Sequence, residues 1–223
     1  YLKKIEKKLI FDSDKIVVLT ADAKEELIYT FNKNKNDVAI IPTCADEKQF
    51  HISDDKYWKN CINFCHLGSI STRYNLDVTL KFFKNVNKYI NSKLLFINKY
   101  EHEYIISKCN KYNINQSDYK IISVNHSDVQ NFINKFDYVI FFPKDGYYKK
   151  GFFPTKIAES FLSGVPIITS NINIDIDELF SNNRLGIQIN NLLNNDYKEL
   201  ATNIKKYKNN INSKNLREFA IEN

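Results

Sequence analysis

Short apolar, β-branched runs recur along the chain and alternate with stretches whose apolar positions repeat every three or four residues. The runs predict strands at Lys15–Thr20, Val38–Pro42, Cys61–Leu67, Leu94–Asn98, Lys120–Val124, Asp137–Phe142, Val165–Thr169 and Gly186–Ile189. They lack strict apolar–polar alternation, which predicts burial on both faces. Between them, Leu76, Leu80, Phe83 and Val86 fall on one helical face, as do Val129, Phe132, Ile133 and Phe136. Such alternation predicts an α/β fold: a Rossmann-like parallel sheet with helices on both faces.

The pattern breaks once. From Thr43 to Asn60 no period is visible, and the stretch carries charge and Trp58. We read residues 1–45 as the last part of an N-terminal α/β domain and 46–60 as a linker. Residues 61–205 form a nearly complete second α/β domain, and 206–223 a C-terminal helix. The Lys- and Asn-rich end, Asp196–Asn223, has the pattern of one or two terminal helices. No solenoid-length repeat is present.

Composition narrows the function classes. Of 223 residues 43% are hydrophobic and 14% aromatic, enough to build a core and to argue against disorder. No apolar run approaches the ~18 residues of a membrane span. The start lacks the basic–apolar–small order of a signal peptide, so a cytoplasmic protein is expected. The chain has no Met and opens at Tyr1 inside a helical pattern, so it is expected to be a fragment. Net charge is +6, but the three arginines, Arg73, Arg184 and Arg217, are far apart and the lysines are dispersed. That is the pattern of a solvated surface rather than of a nucleic-acid interface. A modest positive field would favour an anionic substrate. The Lys-rich segment Tyr1–Phe11 leaves room for peripheral contact with anionic lipid at the inner face of a membrane. Cys44, Cys61, Cys65 and Cys109 form no CxxC pair, and Cys61 and Cys65 are expected on one strand face as buried thiols. His51, His66, His102 and His126 show no metal-ligand spacing, so no metal cofactor is expected.

One count stands out. The chain has five Gly and four Pro, and six of these lie between Pro143 and Pro166. There Pro143 stops a strand, a polar loop holds Gly146 and Gly151, and a helix starts near Pro154-Thr155, with Thr155 a candidate N-cap. Gly164 stands where a left-handed cap is wanted, and Pro166 leads into the next strand. A polar loop at the carboxyl end of a parallel strand, feeding a helix amino terminus, is where phosphate binds. Lys156 adds a cation in the first turn. Glu159, one turn on, suits the ribose hydroxyls of a nucleotide. Taken alone, the same residues also fit a capped helix with an exposed Lys–Glu pair.

The run Phe153-Pro-Thr-Lys-Ile-Ala-Glu159 followed by Gly164-Val-Pro-Ile-Ile resembles the donor-binding signature of retaining, GT4-like (group 1) glycosyltransferases of the GT-B fold. Asp14–Thr20 and Val38–Phe50 are similar to that family's last two N-domain strands and linker start. His66-Leu-Gly-Ser69 is similar to its C-domain glycine loop, and Lys135–Phe141 to its aspartate-then-strand element. The matches run in the expected order from about residue 14 to 189. The resemblance implies a sugar transferred from a nucleotide-diphosphate sugar to an acceptor hydroxyl with retained configuration. It implies no required metal or other cofactor, a glycan or lipid-linked acceptor, and a place in bacterial surface polysaccharide synthesis. Glu159 would hold the ribose. Thr155 and Lys156 would hold the diphosphate, with Gly68 and Ser69 approaching from the other side. Asn125, His126 and Val129 would border the base. Arg73 and Lys156 would be the catalytic cations that neutralise the leaving diphosphate.

The chain departs from the family at three points. The first of two glutamates with seven residues between them would fall at Gly151. The usual Arg/Lys pair of the phosphate loop is incomplete, with Arg73 offset and Asp145 or Lys149 the nearest candidates to compensate. Most of an N-terminal domain lies outside the chain. A nucleotide-sugar epimerase of the same fold and a binding-only donor-domain fragment therefore remain the alternative readings.

Overall fold

The computed structural model describes residues 2–70, 72–183, 185–190 and 196–222. Tyr1, Arg184 and Asn223, named above, lie outside the described residues. The chain begins with α1 (Leu2–Asp12), β1 (Ile16–Val18), α2 (Ala21–Phe31) and β2 (Val38–Ile40). Strands β1 and β2 pair in parallel as a separate two-stranded sheet. The second unit runs β3 (Ile62–Leu67), α3 (Leu76–Val86), β4 (Ser92–Ile97), α4 (His102–Lys111), β5 (Tyr119–Ile122), α5 (Gln130–Ile133) and β6 (Tyr138–Ile140). It continues with α6 (Thr155–Leu162), β7 (Ile167–Thr169), α7 (Ile174–Asn183), β8 (Gly186–Gln188), α8 (Tyr197–Asn210) and α9 (Ser213–Glu222). All eight predicted strands are present, with no end shifted by more than two residues.

Strands β3 to β8 form one parallel sheet in the order β5-β4-β3-β6-β7-β8. The chain builds outward from β3 to one edge, then returns to build outward from β6 to the other. The sheet is buried by helices on both faces. Against one face, Phe64, Phe96 and Ile140 pack on α3, α4 and α8 through Leu80, Phe83, Ile105 and Ile204. Against the other, Leu95, Val139 and Phe141 pack on α5, α6, α7 and α9 through Ile133, Phe161, Ile176 and Leu216. Only the central strands are buried throughout: β3, β6 and β7 are, whereas β1, β2, β5 and β8 are partly exposed. The expectation of two-sided burial fails at those strands, which lie at a sheet edge and so lack a neighbour on one side.

Two further expectations change. Cys65 and Cys109 are buried thiols, but Cys61 precedes β3 and is half-buried, and Cys44 is exposed. The division expected at residue 205 falls inside α8, which Asp196 caps and whose buried face includes Ala201 and Ile204. The end of the chain is fastened by Arg217 on α9. Its guanidinium donates to the carbonyl oxygens of Leu162 at 2.6 Å and Glu47 at 2.8 Å, and to that of Phe50. One side chain thus ties α9 to the last turn of α6 and to the stretch that follows β2.

Gly164 makes this corner. It has φ +69, and a Cβ there would lie 2.7 Å from Ser213 Cβ and 2.9 Å from Ile52 Cγ1. Gly164→Ala is expected to cost about 1–3 kcal/mol, a fall of several degrees in Tm by thermal melting. An unchanged Tm would show that the α6–α9 corner shifts freely.

Candidate functional site

The carboxyl ends of β3 and β6 point to the same side of the sheet, and the chain leaves them in opposite directions. A parallel sheet opens a crevice at such a switch point. Here the crevice is a cleft of about 570 Å³. Its walls are Leu67, Gly68, Ser69 and Tyr74 after β3, and Asn98–Glu101 after β4. Val124, His126 and Val129 after β5 and Thr155, Lys156 and Glu159 on α6 complete it. A larger hollow of about 800 Å³ lies beside β8, α8 and α9, away from these strand ends. Its described lining includes no buried charged side chain.

Local geometry explains how each wall forms. Gly68 has φ +91, which turns the chain sharply off β3 and lets the backbone sit close to Lys156: a Cβ there would lie 3.9 Å from its Nζ. Residues 73–75 then cross back over the end of β6. The Asn75 amide donates to Phe142 O at 2.8 Å, that of Lys144 to Arg73 O at 2.9 Å, and Tyr74 bridges Pro143. This crossing carries the Tyr74 ring over the switch point. Helix α6 starts with Pro154 at the N-cap and Thr155 as its first helical residue. Thr155 is therefore not the cap. Pro154 supplies no capping side chain, so among the described residues the first amides of α6, beside the cleft, are left without an N-cap hydrogen bond. Asn98 accepts from the amides of Tyr100 and Glu101 and donates to Gly68 O, which ties the second wall to the first. Glu101 accepts from the Ile70 amide and from Asn98.

Lys156 and Glu159 are 7% and 6% exposed. The alternative of an exposed Lys–Glu pair is thereby excluded. Lys156 Nζ donates to Leu67 O at 2.5 Å and lies 3.7 Å from the centroid of the Tyr74 ring and 5.1 Å from that of Phe141. Burial pulls its pKa down from 10.5 to about 7. Burial also raises Glu159 above the ordinary carboxylate value, against the opposing pull of His126 and Lys156. His66 lies beneath the cleft with no exposure. Burial, with Lys156 nearby, pushes it down to about 3, so it is neutral at working pH.

Of the residues singled out from sequence, Gly68, Ser69, His126, Val129, Thr155, Lys156 and Glu159 come together in the cleft. Asn125 and Arg73 are not among its walls. Asn125 is exposed ahead of the turn that presents His126. The Arg73 guanidinium is exposed and lies 5.8 Å from the centroids of both Tyr148 and Phe152. Lys149 and Asp145 pair with each other at 2.8 Å, and neither is among the cleft walls. Sequence reading missed Tyr74 and Asn98–Glu101. The second group could have been found, since it directly follows a predicted parallel strand. Tyr74 carries no such signal, because its place depends on the crossing over β6.

The architecture is that of the GT-B glycosyltransferases, aligned here at 13–14% identity. Anabaena HepE, solved with UDP-glucose, superposes with a TM-score of 0.73 over 98% of this chain and 62% of its own. S. aureus TarM, solved with UDP, gives 0.67 over 99% of this chain and 41% of its own. WaaG, a glycosyltransferase involved in lipopolysaccharide biosynthesis, gives 0.70 over 94% of this chain and 59% of its own. The chain thus spans between two fifths and two thirds of these relatives' length. No protein-family model matches the chain, and no curated protein matches it in sequence.

The buried amine generates a stability prediction. Its folded pKa of about 7 lies below the 10.5 of the unfolded chain, so the unfolded chain binds the extra proton between those values. The cost of burying the ammonium is fully present below pH 7 and is relieved as pH rises toward 10.5. Between pH 6.5 and 9 the wild type is expected to gain about 2 kcal/mol relative to Lys156→Met. Thermal melting of both proteins at the two pH values reads this. A constant difference would exclude a titrating buried amine here.

Proposed function

We propose that this chain binds the nucleotide of a nucleotide-diphosphate sugar and forms the donor-binding part of a retaining glycosyltransferase. One observation carries the reading. The uncapped amino terminus of α6, with Lys156 and Glu159 buried beside it, faces the Gly68 turn across the switch point of a GT-B sheet. Amides, helix dipole and amine converge where a diphosphate would sit. Thr155, exposed at the first helical position, adds a hydroxyl. Glu159 accepts from the ribose hydroxyls, and Val124, His126 and Val129 flank the base.

Sugar transfer follows from this arrangement as an electrostatic task. Charge builds on the leaving diphosphate as the glycosidic bond breaks, and preorganised donors stabilise it. Lys156 and the α6 amides are those donors here, and no step requires a metal. The acceptor is proposed to be a glycan or a lipid-linked glycan in surface polysaccharide synthesis. The lipopolysaccharide role of WaaG supports that acceptor class, and the UDP-glucose of HepE supports a nucleotide-sugar donor. Among the described residues no helix is long and apolar enough to cross a membrane. The lysines of α1, beside exposed Leu9 and Phe11, suit peripheral contact with an anionic face on the cytoplasmic side.

Calorimetric titration with UDP, GDP, ADP and CDP tests the reading. At least one is expected to bind, with stabilisation of about 2.7 kcal/mol at a hundredfold excess over Kd. Glu159→Ala is expected to weaken the nucleotide at least tenfold while leaving pyrophosphate binding within about twofold. Equal losses for both ligands would refute the ribose role, and no binding by any of the four would refute the donor site.

A further inference from the structure

We infer that the cleft takes up a proton, onto Lys156 Nζ, when it binds a diphosphate. The inference rests on the donor reading and concerns how its one buried cation is charged. Lys156 sits at the second position of α6, where the positive end of the helix dipole opposes an ammonium. It is buried against β3, and no carboxylate lies within salt-bridge distance among the described residues.

The neighbouring groups do not supply the missing negative charge. On β3, burial holds the Cys65 thiol protonated and His66 neutral. From the crossing segment, the Tyr74 phenol is likewise pushed up and stays protonated. From β6, Phe141 offers only a ring face. On α6 itself, Glu159 is one turn away and raised by burial. Glu101, after β4, is engaged by the Ile70 amide and Asn98, and His126, after β5, faces Glu159. What holds the amine in place is one carbonyl, Leu67 O, and the Tyr74 ring. A neutral amine still donates to Leu67 O, gives up the cation–π attraction of the Tyr74 ring and avoids the larger desolvation cost of a charge.

A diphosphate changes this balance. It brings negative charge to the open side of the amine, and an opposite charge within ~4–6 Å favours the charged form. The amine then binds a proton from solvent and becomes the ammonium that pairs with the phosphate oxygens. Binding and protonation are therefore linked, and the ligand binds more weakly where the proton is scarce.

The test is calorimetry of UDP with the wild-type chain at pH 8, in two buffers of different ionisation enthalpy. UDP is fully ionised there and releases no proton of its own. An uptake of about 0.9 proton is expected for a group titrating one unit lower. Affinity is expected to fall up to tenfold per unit as pH rises from 7 to 9. His126→Gln and Glu159→Gln are expected to retain the uptake wherever they bind UDP. Lys156→Arg, with a charge that does not titrate, is expected to remove the uptake and flatten the pH profile. UDP binding with no uptake and a flat profile in the wild type would overturn the inference while leaving the donor reading intact. Failure of every nucleoside diphosphate to bind at any pH would overturn the donor reading and this inference together.

Discussion

A parallel sheet built outward from its middle must send its chain to opposite sides somewhere, and here it does so between β3 and β6. That split leaves the carboxyl ends of two central strands without a crossover helix above them. Everything distinctive about the cleft follows from how the gap is filled. The chain leaving β3 turns at Gly68, crosses β6 and lays Tyr74 over the gap. Lys156 enters beneath that ring and bonds Leu67 O, the end of the strand itself. A folded core this well packed rarely holds an amine without a carboxylate partner. The ring face and the carbonyl make its burial tolerable without tying it to a fixed anion, and so leave it free for a ligand.

The wall on the far side of α6 depends on the other sheet. Thr20, the N-cap of α2, donates to Lys150 O, and the Ala21 amide donates to both oxygens of Asp175 on α7 at 3.0 Å. Thr43 donates to Phe153 O at 2.8 Å, and Lys150 pairs with Glu26 at 3.0 Å. Residues 150–153, which lead into α6, are thus held from the first unit as much as from the second. Hydrogen bonds from Lys150, Tyr147 and Thr30 together hold the half-buried Glu26 carboxyl down near 2. Any motion of the first unit relative to the sheet would pull on the segment that sets the start of α6. In this fold, the placement of the first unit and the shape of the α6 end of the cleft are mechanically connected through that segment.

How much of this was legible depended on which residues act locally. All eight strands were visible because a buried parallel strand is an apolar run, and that signal needs no tertiary context. The edges were misjudged because an edge strand has nearly the same composition with one neighbour fewer, as β5 and β8 show. The placement of Lys156 and Glu159 in one cleft was legible because it is set by distance along one helix from its start. Arg73 was not. Its place in the loop suggested a phosphate contact, but the aromatic faces of Tyr148 and Phe152 hold its guanidinium outside the cleft walls. Both rings come from residues more than seventy positions away, and no local pattern announces them. Tyr74 was missed for the converse reason, since only the pairing of residues 73–75 with 142–144 brings it over Lys156.

The position of Gly151 sharpens what such a cleft can do. Where the resembling family has its first glutamate, this chain has an exposed glycine whose Cβ position would lie 3.8 Å from Ala23 of α2. A side chain added there would point at the first unit rather than into the walls around Lys156. No carboxylate therefore reaches the cleft from this position. With Arg73 beside aromatic rings and Lys149 tied to Asp145, the proposed diphosphate would have its charge met by the α6 amides and Lys156. A site of this build would orient the proposed phosphate mainly by backbone geometry, which is rigid and does not titrate, and would draw net charge from one buried amine.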